Sequence, residues 1–111
     1  APLDRMIVSL ANRTAAKLQL DHRFSASELT LDPDYLGAGY GVVGDPEREA
    51  ISLTARTEGI FLDPVYTGKA AAGLLDLIRK GYFKKGERVL FLHTGGSPGL
   101  YAYQNVILDE G

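Results

Sequence analysis

The sequence contains no cysteine and no tryptophan, and methionine occurs once among its 111 residues. Without cysteine, the chain can form neither a disulfide framework nor a thiolate nucleophile. No apolar stretch approaches the roughly 18 residues that a membrane span needs. Basic residues are not in excess, because 12 lysines and arginines stand against 14 aspartates and glutamates, a formal net charge of −2. We therefore expect a cytoplasmic protein that binds neither membranes nor nucleic acid.

The composition is that of an ordinary globular chain, 45% hydrophobic and 23% charged, which is enough for one core. The first residues, "APLDRMIVSL", place Asp4 and Arg5 before a short apolar run, unlike a signal peptide. The only methionine is Met6, and the predicted elements begin with a helix rather than a strand. We therefore expect residues 1–111 to be the C-terminal segment of a larger domain.

Helical and strand patterns alternate along the chain. Apolar residues recur at helical spacing in three segments, at about residues 4–19, 46–58 and 68–80. Asp45 and Pro46 are the predicted N-cap and first residue of the second helix, and Gly59 is its stop. Strands are predicted at "SELTL", "GIFL" and "VLFL", the last as the most buried. The alternation predicts an α/β fold with three layers, a parallel sheet with helices on both faces.

Three segments follow the predicted strands, where open α/β sheets bind ligands: "GAGYG" at 37–41, "DPVYTGK" at 63–69 and "HTGG" at 93–96. Each also has a purely structural interpretation. Tyr40 can pack on its own loop, Thr67 can be only a helix cap, and His93 can be a hydrogen-bonded core histidine. The pattern predicts a pocket but names no reaction.

Two other patterns are weaker. "TGKA" is similar to the end of a phosphate-binding loop, but Asp63 occupies the position of its first glycine and Ala70 that of its Ser/Thr. Glu47, Glu49 and Glu58 share one helix with no histidine at ligand spacing. We expect them to form a solvent-exposed face rather than a metal site.

A longer stretch resembles a known family. "EAISLTARTEGIFLDPVYTGKAAAGLLDLIRKGYFKKGERVLFLHTGGSPGLYAY" is similar to the C-terminal part of the D-cysteine desulfhydrase and 1-aminocyclopropane-1-carboxylate (ACC) deaminase family, most closely from about Tyr40 to Tyr103. These enzymes use pyridoxal 5'-phosphate (PLP) and have the tryptophan synthase β-like fold, also called fold type II. The resemblance implies PLP as cofactor, a small amino-acid substrate, a role in amino-acid metabolism and a homodimeric parent protein.

The resemblance also implies roles for individual residues. Tyr40 and Tyr66 are implied as catalytic residues that flank the cofactor and substrate. Thr94 and Gly95 are implied beside the cofactor ring, with Thr67 and Tyr66 as further cofactor contacts. The family's covalent cofactor lysine and phosphate loop would lie upstream of these residues, and Lys69 matches neither. The segment alone is therefore expected to be inactive.

Two threonines bear on the reaction. ACC deaminases typically have "DPVYEGK" and "HLGG", whereas D-cysteine desulfhydrases have "DPVYTGK" and "HTGG". Thr67 and Thr94 thus imply a D-cysteine desulfhydrase, a lyase that releases pyruvate, ammonia and hydrogen sulfide. The alternatives are ACC deaminase and L-cysteate sulfo-lyase. Outside the enzymes, the alternative is a non-catalytic α/β module that binds a phosphorylated ligand or a partner.

Overall fold

The computed structural model describes residues 2–108 and divides into two compact units. The first unit runs to Pro33 and the second begins at Asp34. Helices account for all the regular structure of the described residues: α1 Leu3–Lys17, α2 Asp45–Glu58, α3 Thr67–Arg79, α4 Gly99–Ala102 and α5 Gln104–Leu108, with 3₁₀ turns at Ala26–Glu28 and Pro33–Tyr35. None of the helices within residues 2–108 has both the length and the apolar character needed to cross a bilayer.

In the first unit, the segment after α1 is fixed by side chains rather than by a strand. The Asn12 side-chain amide donates to the Phe24 carbonyl at 2.9 Å, and the Phe24 N–H donates to Asn12 Oδ1 at 2.8 Å. The Ser25 N–H then donates to Glu28 Oε2 at 2.7 Å. This bond closes a 3₁₀ turn at the start of "SELTL", so the strand predicted there is wrong.

In the second unit, α2 packs against α3. Their core consists of small and branched side chains, namely Ala50, Ile51, Leu62 and Ala71. Gly68 permits this contact, because a Cβ there would lie 2.6 Å from the Asp63 carbonyl oxygen and 3.2 Å from Ile51 Cδ1. Gly59 ends α2 in the left-handed conformation, as predicted, with φ of 66°. The N-cap of α2 is Gly44 rather than the predicted Asp45, which is the first helical residue.

The predicted parallel sheet is not formed among residues 2–108, which contain no strand. A strand requires ladder hydrogen bonds to a neighbouring strand. The predicted strands at 60–62 and 89–92 instead lie in segments without ladder hydrogen bonds, close to one contact in which His93 Nε2 lies 2.8 Å from the Phe61 carbonyl oxygen. The three-layer arrangement therefore stays a prediction.

In each of these two segments one residue is shielded from solvent and the others are exposed. Leu62 is 1% exposed, and Phe91 packs against the α2–α3 core. Phe61 is 61% exposed, whereas Leu90 and Leu92 are 92% and 76% exposed. The expectation that "VLFL" is the most buried segment is therefore wrong, because three of its four residues are exposed and only Phe91 packs against the core. An apolar surface made of Phe61, Leu90 and Leu92 remains uncovered.

Candidate active site

The turn before α3 is organised by the carboxylate of Asp63, which is 2% exposed. Its Oδ2 accepts the N–H groups of Val65 and Tyr66, both at 2.8 Å. Its Oδ1 accepts the Thr67 N–H at 2.8 Å and the Thr67 hydroxyl at 2.6 Å. Burial raises the pKa of Asp63, but the bonds from Thr67, Tyr66 and Val65 together outweigh it and leave that pKa below its ordinary value. The carboxylate thereby fixes the backbone that carries Tyr66.

Thr67 completes this turn. Its side chain is 2% exposed, and its hydroxyl also accepts the Asp63 N–H at 2.8 Å. The single proton of a threonine hydroxyl can serve one acceptor at a time, and here it serves Asp63. The prediction that Thr67 contacts a cofactor is untested, and the geometry favours the capping role that the sequence left open.

Two of the predicted site residues, Tyr40 and Tyr66, meet in the structure. Their hydroxyl oxygens lie 2.7 Å apart, and their rings pack edge to face with centroids 5.9 Å apart. Tyr40 is 82% exposed and Tyr66 59%, so both can be reached from outside. The hydrogen bond with Tyr40 raises the pKa of Tyr66. Because one hydroxyl donates to the other, the pair retains one proton that it can donate to a ligand.

Tyr40 stands on the glycine loop at 37–41, which contacts several side chains of the second unit. The Lys69 ammonium donates to the carbonyl oxygens of Leu36 and Gly39, at 2.7 and 2.6 Å. A Cβ at Gly41 would lie 3.0 Å from the Tyr103 hydroxyl. Sequence reasoning missed the part played by Lys69, because nothing in the local pattern links it to residues thirty positions earlier.

The "HTGG" loop lies against the Asp63 turn. A Cβ at Gly96, where φ is 92°, would lie 2.9 Å from Asp63 Cγ, so a glycine is needed for this approach. The Gly95 N–H donates to His93 Nδ1 at 3.0 Å, so the ring proton is on Nε2, which donates to the Phe61 carbonyl at 2.8 Å. The structure thus brings the "HTGG" loop against the "DPVYTGK" turn, and the contact of Tyr40 with Tyr66 links the "GAGYG" loop to the same turn.

The acidic residues of α2 differ from the predicted solvent-exposed face at one position. Glu47 is 5% exposed, and its Oε2 accepts the Gly44 N–H at 2.8 Å. Glu49 is exposed and pairs with Arg79, with N–O distances of 2.6 and 3.1 Å, and this hydrogen bond lowers the pKa of Glu49. The expectation is therefore wrong for Glu47, which caps its own helix. In the described part of the chain, no group of histidine, aspartate and glutamate side chains is arranged to hold a metal ion.

Comparison with known proteins decides the family. A family model described as "Pyridoxal-phosphate dependent enzyme" matches residues 3–95, well over half of the chain. The chain belongs to this family. An "1-aminocyclopropane-1-carboxylate deaminase" of Rhizobium rhizogenes (strain K84) is 43% identical over 97 residues, which cover 87% of this chain and 29% of the relative. A protein of the same name from Bradyrhizobium diazoefficiens (strain USDA 110) is 45% identical over 103 residues, 89% of this chain and 31% of the relative.

Membership of the pyridoxal-phosphate dependent enzyme family confirms the predicted family and cofactor, and it confirms that the chain derives from an enzyme family. It supports an α/β fold in general, although the described residues show only helices. The chain spans 29% and 31% of the length of the two curated relatives.

The residues present fit one side of a planar cofactor. Thr94 and Gly95 are exposed, and a Cβ at Gly95 would meet no atom within 4 Å, so the space beside this backbone is open. The Thr94 hydroxyl can donate to a ring nitrogen or accept from it. The exposed Tyr40 and Tyr66 supply aromatic surface and hydroxyl groups, and the turn that carries Tyr66 contacts the same loop through Asp63 and Gly96.

Proposed function

We propose that this chain forms part of a PLP-dependent lyase that acts on a small amino acid. The observation that carries the proposal is the exposed hydroxyl pair of Tyr40 and Tyr66, found in a chain of this enzyme family. The two tyrosines are 26 positions apart in the chain, and the structure presents their two phenol groups together at the surface. A pair held this way is suited to bind and protonate a ligand.

Thr94, Gly95 and Tyr66 are the residues proposed to contact the cofactor, and Thr67 is proposed to support Tyr66 by completing the Asp63 turn. When bound, PLP withdraws electrons from the amino acid attached to it. The residues of this chain then position the bound groups and donate a proton. A tyrosine hydroxyl is protonated near neutral pH, and the hydrogen bond with Tyr40 raises the pKa of Tyr66 above its ordinary value, so the pair can act as a proton donor to the substrate or to its leaving group. The glycines at 95 and 96 keep side chains away from the ring.

Two substrates are candidates. The names of the two relatives favour ACC, which with one water would give 2-oxobutanoate and ammonia. Thr67 and Thr94 favour D-cysteine, which with one water would give pyruvate, ammonia and hydrogen sulfide. Neither relative is named a desulfhydrase, so this finer proposal rests on the two threonines alone. L-Cysteate is a third candidate within the same chemistry.

The test is a direct assay of the complete protein with PLP, with ACC, D-cysteine and L-cysteate as separate substrates. Hydrogen sulfide and pyruvate from D-cysteine would support the desulfhydrase, and 2-oxobutanoate from ACC would support the deaminase. Sulfite release from L-cysteate would assign the third reaction. Bound PLP without turnover of any of the three would leave the family assignment intact and overturn the lyase proposal. Absence of bound PLP would favour the non-catalytic module.

The remaining expectations concern the whole protein. We propose that residues 1–111 are a C-terminal segment of the large cofactor-binding domain, in a cytoplasmic homodimer with a three-layer α/β fold. The uncovered apolar side chains Phe61, Leu90 and Leu92 support this, because a parallel sheet with helices on both faces would cover such side chains. Ladder hydrogen bonds at 60–62 and 89–92 in a structure of the complete protein would test it.

A further inference from the structure

Lys69 lies in the first turn of α3, close to Tyr66 in the chain. Its side chain reaches back to the loop before Tyr40 and makes two short bonds, to the carbonyl oxygens of Leu36 at 2.7 Å and Gly39 at 2.6 Å. These are charge-assisted bonds, which are stronger than bonds between neutral groups. The ammonium is therefore committed to the backbone of the loop rather than to a carboxylate.

One of the two bonds from Lys69 is to the turn that carries Tyr40. The Gly39 carbonyl also accepts the Val42 N–H at 3.3 Å, so Gly39 and Val42 close a turn with Tyr40 and Gly41 between them. Gly37, Gly39 and Gly41 have φ of 65°, 137° and 71°. A backbone with this many left-handed glycines has much conformational freedom to lose and no regular structure to hold it. The bonds from Lys69 favour one conformation of this glycine loop.

The positions of both tyrosines thus depend on residues at the start of α3. Tyr66 directly precedes α3, and its N–H is held by Asp63 at 2.8 Å. The carbonyl group of Gly39, which directly precedes Tyr40, is held by Lys69 in the first turn of α3. The 2.7 Å distance between the two hydroxyls therefore depends on Asp63 at one end and on Lys69 at the other.

We propose that Lys69 is a positioning residue, which places the Tyr40 hydroxyl against Tyr66 by holding the carbonyl groups of Leu36 and Gly39. An effect of Lys69 on turnover depends on the function proposed above. The positioning of Tyr40 by Lys69 does not depend on it. The same lysine could instead act on the tyrosines through its charge. The two roles predict opposite changes when the ammonium is removed, so they can be separated.

The decisive measurement follows the titration of Tyr66 in the complete protein. Tyrosine labelled with ¹³C at Cζ gives one NMR signal per residue, and Tyr66→Phe assigns the signal of Tyr66. The hydrogen bond with Tyr40 is the main cause of the raised pKa of Tyr66, with the charge of Asp63 a further cause. If Lys69 positions Tyr40, Lys69→Met should lower that pKa as Tyr40→Phe does. If Lys69 acts by charge, its removal should raise the pKa further, because a cation favours the phenolate.

Variants at two lysines make the test specific. Lys69→Arg keeps a cation with several donors and should preserve the wild-type titration, whereas Lys69→Met should not. Lys80→Met removes an exposed lysine of the same helix region that pairs with Asp76, and it should leave Tyr66 unchanged. If Lys69→Met does not fold, Lys69→Gln, which lacks the charge and the reach, takes its place in the comparison with Lys69→Arg.

Kinetics supply the second measurement. With substrate turnover, Lys69→Met should lower kcat about tenfold or more with KM nearly unchanged, since misplacement of a reacting group has effects of that size. An unchanged or raised pKa of Tyr66 in Lys69→Met would overturn the positioning role, whatever happens to turnover. A wild-type protein without lyase activity would overturn the proposed function, and the titration would still decide the role of Lys69.

Discussion

The hydroxyl oxygens of Tyr40 and Tyr66 lie 2.7 Å apart, although the residues are 26 positions apart in the chain. Neither residue is buried, so this contact is not a by-product of core packing. The Tyr66 N–H is held by Asp63 within its own turn, and the carbonyl group of Gly39, next to Tyr40, is held by Lys69. The following predictions test the parts of this arrangement separately.

Replacing Asp63 by Asn should destabilise the protein by at least about 2 kcal/mol, because an amide can replace only one of the two accepting oxygens and bonds to a charged group are strong. The pKa of Asp63 is lowered in the folded state. Its stabilisation is therefore complete above the ordinary aspartate pKa of about 4 and is lost as the pH falls through the lower, folded-state pKa. Urea denaturation at several pH values should show this loss in the wild type and its absence in Asp63→Asn.

Thr67→Val should destabilise the protein by about 1–3 kcal/mol, because it leaves the Asp63 N–H buried without its acceptor. Thr67→Ser keeps the hydroxyl and should cost much less. Thermal unfolding of the two variants is the measurement. If Thr67→Val is as stable as Thr67→Ser but binds PLP more weakly, Thr67 is a cofactor contact and not a cap.

Gly96→Ala should be destabilising in two ways, through its φ of 92° and through the 2.9 Å approach of the new Cβ to Asp63. Gly59→Ala is a matched control, because Gly59 also has positive φ but no atom lies within 4 Å of its Cβ position. The control should lose about 1–2 kcal/mol from backbone strain alone. Equal losses in the two variants would show that the "HTGG" loop does not depend on close contact with Asp63.

The 111-residue chain expressed alone should self-associate and melt with poor cooperativity, because Leu90 and Leu92 are 92% and 76% exposed. The double variant Leu90→Lys, Leu92→Lys should be more soluble and keep its helical circular dichroism, since neither side chain belongs to the α2–α3 core. Analytical ultracentrifugation compares the two. A wild-type chain that is monomeric, melts sharply and binds PLP would contradict this prediction.

The helices could be predicted from the sequence, because the causes of a helix are local. Apolar spacing located α1, α2 and α3, and Gly59 ended α2 as expected. The strands could not be predicted in the same way. A strand depends on a partner far away in sequence, and the apolar run at 89–92 contains no information about whether a partner is present.

Part of the candidate site could also be predicted from the sequence. The segments with Tyr40, Tyr66 and "HTGG" were found because each follows a predicted strand, and the family resemblance singled out the two tyrosines, which the structure brings together. The organising residues were missed. Asp63 was treated only as a departure from a phosphate-binding loop, although aspartate before proline with threonine four residues on is a local signal for a capped turn. Lys69 has no such local signal, because its acceptors are carbonyl groups of a distant loop.

The central claim is that the Tyr40–Tyr66 pair serves the reaction of a PLP-dependent lyase. The most direct measurement is the kcat of Tyr66→Phe in the complete protein, on whichever substrate the wild type turns over, with PLP content measured in the same samples. Tyr82→Phe is the control, because Tyr82 is similarly exposed and packs only on Phe83 among the aromatic residues whose contacts are described. The account predicts a fall in kcat of about a hundredfold or more with PLP content unchanged, the size expected for loss of a proton donor. A kcat equal to that of Tyr82→Phe, with PLP bound, would contradict it.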